Sequence, residues 1–224
     1  MTAKKTLDDI AGEIILDPEV FIKKLSNVKA LIFDWDGIFN DGVKGKVPST
    51  FNEIDSMGIN MLRFGYYLIH GQNPFTAIVT GEKNETAIQW AEREHFFSVF
   101  LKVKNKADII DLVKKGNAIN PEEILFVFDD IHDLSLAKKA GVRFLVQNSG
   151  SRLFAKFCRE NNYCDYITRN TGGTNALREI AETVLYTLDL FEETIKNRIE
   201  FKGIYHEYWQ KRNSVKTYIS ELNY

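Results

Sequence analysis

Apolar residues in this chain fall into short unbroken runs separated by stretches of helical spacing. Ala30-Leu31-Ile32-Phe33, Phe75-Thr76-Ala77-Ile78-Val79 and Ile124-Leu125-Phe126-Val127-Phe128 each run into Asp or Thr-Gly, the pattern of strands buried on both faces. Further strands are expected near 97–101, 142–146 and 165–167. Residues 18–25, 59–68, 84–94, 107–115 and 134–140 carry helical spacing, the last closed by Gly141 as a C-terminal cap. This alternation predicts an α/β fold, a doubly wound Rossmann-like parallel sheet with helices on both faces. Residues 43–54, interrupted at Gly45 and Pro48, read as a small β flap.

Polar chemistry gathers where the three central strands end. Asp34 and Asp36 follow the first, two apart and so on one side of an extended chain, just before Gly37. Paired carboxylates repel, and a site that keeps both needs a divalent cation, a shared proton or a strong donor. Mg2+, a hard cation held by carboxylates and substrate phosphate, meets that need. The second strand ends in Thr80-Gly81, a hydroxyl and a free amide suited to a phosphate oxygen. Lys102, Lys104 and Lys106 precede an amphipathic helix, and Asp129, Asp130 and Asp133 follow the third strand. Each element alone reads as ordinary turn or capping chemistry. Their conjunction at strand carboxyl ends, where open α/β sheets bind ligands, points to phosphoryl transfer.

Composition narrows the partners. The 224 residues, 44% hydrophobic, are enough for a substantial core. Their 29 basic and 31 acidic side chains give a net charge of −2, which offers no footprint for nucleic acid or an anionic membrane. Cys158 and Cys164 lack metal-binding spacing and read as reduced thiols, and His70, His95, His132 and His206 form no ligand set. Residues 1–13 lack the apolar centre of a signal peptide, and no stretch approaches the roughly 20 apolar residues of a membrane span. A cytoplasmic location is expected.

The order of strand-Asp-x-Asp-Gly, strand-Thr-Gly, Lys and strand-Asp-Asp-x-x-Asp resembles the four motifs of the haloacid dehalogenase superfamily of phosphatases. LIFDWDGIFNDG (31–42), FNEIDSMGINML (51–62) and DYITRNTGGTNALRE (165–179) are similar to the 3-deoxy-manno-octulosonate 8-phosphate phosphatases and related sugar-acid phosphatases. The similarity runs over about residues 28–183. It implies that Asp34 becomes an aspartyl-phosphate, Asp36 acts as acid and then base, Thr80 binds the phosphoryl group and Lys106 neutralises it. It implies that Mg2+ is held by Asp34, the Asp36 carbonyl and Asp129, with Asp130 or Asp133 in support. Gly81, Lys83, Asp55, Gly172, Gly173 and Arg178 are the substrate-side candidates. Gly172-Gly173 also reads simply as a turn, and Arg178 as a surface residue.

The chain departs from that pattern at three places. Phe128 replaces a glycine before the acid pair, Glu82-Lys83 follows Thr80-Gly81 where relatives carry arginine, and Asn40 stands for a threonine. These changes bear on substrate choice more than on reaction class. The intervals from Asp36 to Thr80 and from Thr80 to Lys106 leave no room for a cap domain, so the resemblance implies the capless branch, whose members close their sites with neighbouring subunits, commonly in a tetramer. Three segments are expected: a helical lead (1–27), the phosphatase domain (28–187) and a helical, aromatic extension (188–224), read as an oligomer arm. A catalytically silent module serving assembly or regulation is the competing reading. A signalling receiver domain would place its acid pair before its phosphorylated Asp, and the order here is the reverse.

Overall fold

A computed structural model describes residues 9–45 and 49–224. Eight strands form one sheet: β1 (Glu13–Ile14), β2 (Ala30–Phe33), β3 (Phe75–Val79), β4 (Ser98–Leu101), β5 (Ile124–Phe128), β6 (Val142–Leu145), β7 (Tyr166–Ile167) and β8 (Tyr218–Glu221). Their order is β1-β7-β6-β5-β2-β3-β4-β8, parallel throughout except for the antiparallel β1–β7 pair. The chain leaves β2 toward β3 and β4, then returns to β5 on the other side of β2. The crevice between β2 and β5 is therefore the topological switch point, where ligands of such sheets bind.

Both faces of the central strands are buried, which is why their sequences run apolar without alternation. On one face Leu31, Phe33, Leu125, Val127 and Phe144 pack with α1 (Pro18–Ser26), α2 (Glu53–His70), α3 (Glu85–Arg93) and α7 (Ala176–Thr187). On the other, Ile32, Val79, Phe126 and Phe128 pack with α4 (Ile109–Asn117), α5 (Leu134–Ala137) and α6 (Arg152–Glu160). Phe128 is fully buried and stacks on Phe126 at 5.7 Å, so the residue that replaces glycine is absorbed by the core. Helices α2 and α7 press together through glycine: a Cβ on Gly65 would lie 2.2 Å from Leu185, and one on Gly58 2.9 Å from the Arg178 Cα.

Several expectations are corrected. No strand occurs among the described residues of 43–54, of which 46–48 lie outside the description. Asn52 instead caps α2, whose first residues are Glu53 and Ile54. That helix ends at Gly71, left-handed at φ 69°. Gly141 is not a helix cap: α5 stops at Ala137, and Gly141 is small because a Cβ there would lie 1.9 Å from the Glu122 carbonyl oxygen. The lead to α1 contains β1, and residues beyond α7 form α8 (Phe191–Glu200), α9 (Ile204–Asn213) and then β8, a strand that was not expected. Tyr205 and Tyr208 are buried against Phe64 of α2 at ring distances of 4.8 and 5.2 Å, so much of the aromatic stripe packs on the chain's own body.

Candidate active site

The β2–β5 register pairs Phe33 with Val127, and the Asp34 amide donates to the Val127 carbonyl at 3.0 Å. Asp34 and Asp129 thus emerge side by side as their strands end. Gly37 turns the chain at φ 78°, a conformation that disfavours any side chain, and a Cβ there would strike Asp129 Oδ2 at 1.9 Å. Asp133 reaches back in a capping arrangement, its Oδ2 accepting the Asp129 and Asp130 amides at 3.3 and 3.1 Å. Single carboxylate oxygens of Asp34, Asp129 and Asp133 all lie within 4.8 Å of one another.

Lys106 completes the cluster. It is 3% exposed, its Nζ is 2.5 Å from Asp34 Oδ1, and it also pairs with Asp133. Three carboxylates therefore face one ammonium. Burial pushes the Asp34 carboxyl above its ordinary range, Lys106 opposes that and Asp133 adds to it. Asp129 is raised to about 8 by burial and by the charges of Asp34, Asp133 and Asp130. Burial works against the Lys106 charge, but Asp34 and Asp133 more than offset it and hold the ammonium above the usual lysine range. The excess negative charge and all-oxygen donors fit a hard divalent cation: Asp34, Asp129 and Asp133 would hold it, and it would supply the missing positive charge. Mg2+ is the cofactor that suits this donor set.

Thr80, 1% exposed, lies two residues beyond Ile78, the β3 partner of Phe33, and hence at the same rim. Its Oγ1 accepts the Glu82 amide at 3.4 Å, and its carbonyl accepts the Val103 amide at 3.0 Å, tying it to the segment that delivers Lys106. Asp36 is half-buried, with Oδ2 3.0 Å from Lys44. Lys44 is not among the residues expected at the site; its signal in the sequence is a cation within the loop that follows the paired acids. Asn40 is buried, and its Oδ1 accepts the Gly42 and Gly37 amides at 2.8 and 3.4 Å, so the polar substitute for threonine braces the Asp34–Gly37 turn.

Gly172 and Gly173 are brought to this turn. A Cβ on Gly172 would lie 1.9 Å from the Gly37 carbonyl oxygen, and the Gly173 amide donates to the Ile38 carbonyl at 3.2 Å. Other candidates go elsewhere. Asp55 is buried and accepts the Arg178 and Asn175 amides at 2.8 and 3.3 Å, capping α7 rather than facing a ligand. Arg178 pairs with Glu182 at 2.6 Å and lines a separate cavity of about 520 Å³, with Asn170, Asn175 and Glu179, to which none of the clustered aspartates contributes. Lys83 turns outward to Glu85 at 3.3 Å, Gly81 is exposed, and Asp130 is exposed beside the triad rather than in it.

No family model matches the chain. It is 26% identical over 177 residues, 77% of its length and 87% of the relative's, to the 3-deoxy-D-manno-octulosonate 8-phosphate phosphatase KdsC of Escherichia coli. The crystal structure of a probable YrbI family phosphatase from Pseudomonas syringae superposes with a TM-score of 0.67 at 26% identity, covering 83% of this chain and 99% of that one. In sequence and in fold this chain resembles phosphatases of the haloacid dehalogenase superfamily. The 3-deoxy-D-manno-octulosonate 8-phosphate phosphatase of Moraxella catarrhalis, solved with magnesium, phosphate and KDO, shares the fold at a TM-score of 0.67 and 24% identity, over 82% of this chain and 99% of its own. Like the sheet here, the superfamily fold is an α/β core, and no separate cap domain interrupts this chain among its described residues.

Proposed function

We propose that this phosphatase is a Mg2+-dependent phosphomonoesterase that hydrolyses a small sugar-acid phosphate through an aspartyl-phosphate intermediate. The observation that carries the reading is the buried cluster in which Asp34 meets Lys106 at 2.5 Å and shares an ion-sized space with Asp129 and Asp133. An Asp34 oxygen attacks phosphorus as the bond to the substrate oxygen breaks, and Asp36 gives that oxygen its proton. Asp36 then removes a proton from water, whose oxygen attacks phosphorus; the bond to Asp34 breaks, and inorganic phosphate leaves. Splitting one displacement into two lowers each barrier. Thr80 and neighbouring amides hold the phosphoryl oxygens, and Lys106 balances their charge. Mg2+, held by Asp34, Asp129, the Asp36 carbonyl and Asp133, supplies further positive charge when bound.

The sugar-acid class is supported by the likeness to KdsC. Gly172 and Gly173, packed on the turn that follows Asp34, and Gly81 at the end of β3 are kept in this proposal as the substrate-side backbone. Lys83, Asp55 and Arg178 are engaged away from the cluster, so we leave them out of the contact set. A homo-oligomer, expected from the capless resemblance, is part of this proposal. So is a cytoplasmic setting, which accords with two unpaired buried cysteines; no helix among the described residues is long and apolar enough to cross a membrane.

The test is hydrolysis of 4-nitrophenyl phosphate and a panel of sugar-acid phosphates, with and without Mg2+, by the native chain and Asp34→Asn. Metal-dependent turnover abolished by the substitution supports the proposal. Equal rates in the two proteins, or no turnover on any substrate, would refute it.

A further inference from the structure

We propose that β8 and the Tyr224 that follows it form a clasp that positions Lys106 and Thr80, a role that rests on the phosphoryl-transfer reading above. The sequence resemblance ends near residue 183, so nothing in it accounts for this strand. Beyond β4 the chain enters residues 102–108, which carry Lys106 into the cluster. Lys102 there has φ 58°, a conformation unfavourable for a residue with a side chain, which persists only where its surroundings hold it.

Residues 218–224 supply those surroundings. β8 pairs with β4 from Ser98↔Tyr218 to Leu101↔Glu221, and the Leu222 amide extends the ladder to the Leu101 carbonyl at 3.1 Å. Glu221 meets Lys102 at 2.6 Å. The Tyr224 hydroxyl donates to Asp108 Oδ2 at 2.9 Å and accepts the Asn105 amide at 3.4 Å, while Lys104 Nζ lies 5.8 Å from the Tyr224 ring centre. Lys102, Lys104, Asn105 and Asp108 are therefore all gripped from outside. From inside, the Val103 amide holds the Thr80 carbonyl, and the Ala107 amide donates to Ser135 at 3.3 Å.

Lys106 thus sits in a segment fixed on two sides, one of them β8. Single exposed ion pairs fix little. Here one such pair acts together with two hydrogen bonds and a cation–ring contact, because strand pairing has already set their register. Phosphoryl transfer depends on placement, and a displacement of about 1 Å can cost on the order of a hundredfold. Partial loosening by loss of one clasp residue is expected to cost about tenfold. Lys106 and Thr80 remain the catalytic candidates, and Glu221 and Tyr224 are positioning residues.

The experiment uses the full chain with Tyr224→Ala, Tyr224→Phe and Glu221→Gln, assayed with 4-nitrophenyl phosphate at saturating Mg2+ and by amide hydrogen exchange. The clasp predicts that Tyr224→Ala lowers kcat about tenfold at nearly constant KM. Exchange should quicken over 102–108 while that of β2 and β5 is unchanged. Tyr224→Phe, which keeps the ring but loses both hydroxyl contacts, should fall between it and the native chain. Unchanged kcat, unchanged exchange over 102–108, or exchange that rises throughout the sheet would each overturn the clasp. If the native chain has no turnover, the phosphatase proposal and the catalytic purpose of the clasp fail together, and local exchange then reports only whether the contact exists.

Discussion

A side chain at Gly37 would have to occupy the space of the Asp129 carboxylate, for a Cβ there falls 1.9 Å from Oδ2. The glycine that ends the first motif and the acid that begins the last are thus one steric unit, 92 residues apart in sequence. Gly37→Ala must move either the turn after Asp34 or the third carboxylate. It should lower kcat/KM by about a hundredfold, as expected for a displacement near 1 Å. The left-handed conformation adds a stability cost of about 1–2 kcal/mol. Steady-state kinetics and urea denaturation check both effects.

The excess of negative charge gives a pH signature. Asp34 and Asp129 are raised in the folded chain, so between the ordinary carboxylate range and about 8 the folded state holds more protons than the unfolded one. Their contribution to stability is fully present below the unfolded values and is lost as pH rises through the folded ones. The urea midpoint of the metal-free protein should therefore fall from pH 5 to pH 8.5. Millimolar Mg2+ should flatten that decline, because it stabilises the ionised carboxylates.

Asp55 separates architecture from chemistry. Its carboxylate accepts two amides at the start of α7 and touches none of the clustered acids. Asp55→Ala should cost about 1–2 kcal/mol, the usual loss for a helix cap. Its KM should stay within about twofold of the native value under conditions where the variant is folded. A large rise in KM at unchanged stability would restore Asp55 to the substrate site.

The two cysteines should be silent in the native state. Cys158 and Cys164 are fully buried, and burial pushes their thiols up to about 11 and about 12. Iodoacetamide at pH 8 should label neither in the folded chain and both in urea, as mass spectrometry would reveal.

Strand runs and motif spacing made the sheet and the positions of Asp34, Thr80, Lys106 and Asp129 legible, because fully buried strands must be apolar and must end abruptly where polar groups begin; the switch point needed the strand order of the folded sheet. Asp133 was legible only as one of two supporting acids; its place in the triad depends on a short turn that folds its carboxylate back onto the amides of residues 129 and 130. The role of Asp55 was hidden since a buried cap and a ligand contact use the same residue type. Strand β8 was hidden for another reason: Tyr218–Glu221 is mostly exposed, so it lacks the apolar run that marks the central strands and owes its form to pairing with β4. Lys44 gave no periodic signal and was visible only as a charge near the motif.

The proposed chemistry requires one divalent ion shared by Asp34, Asp129 and Asp133 beside Lys106. Crystals grown with Mn2+ and measured at the manganese absorption edge would locate it directly. One anomalous peak in contact with carboxylates of Asp34 and Asp129, at about 2.0–2.3 Å as for small divalent ions bound to oxygen, is the predicted result. Saturating Mn2+ with no peak between those two side chains would contradict it.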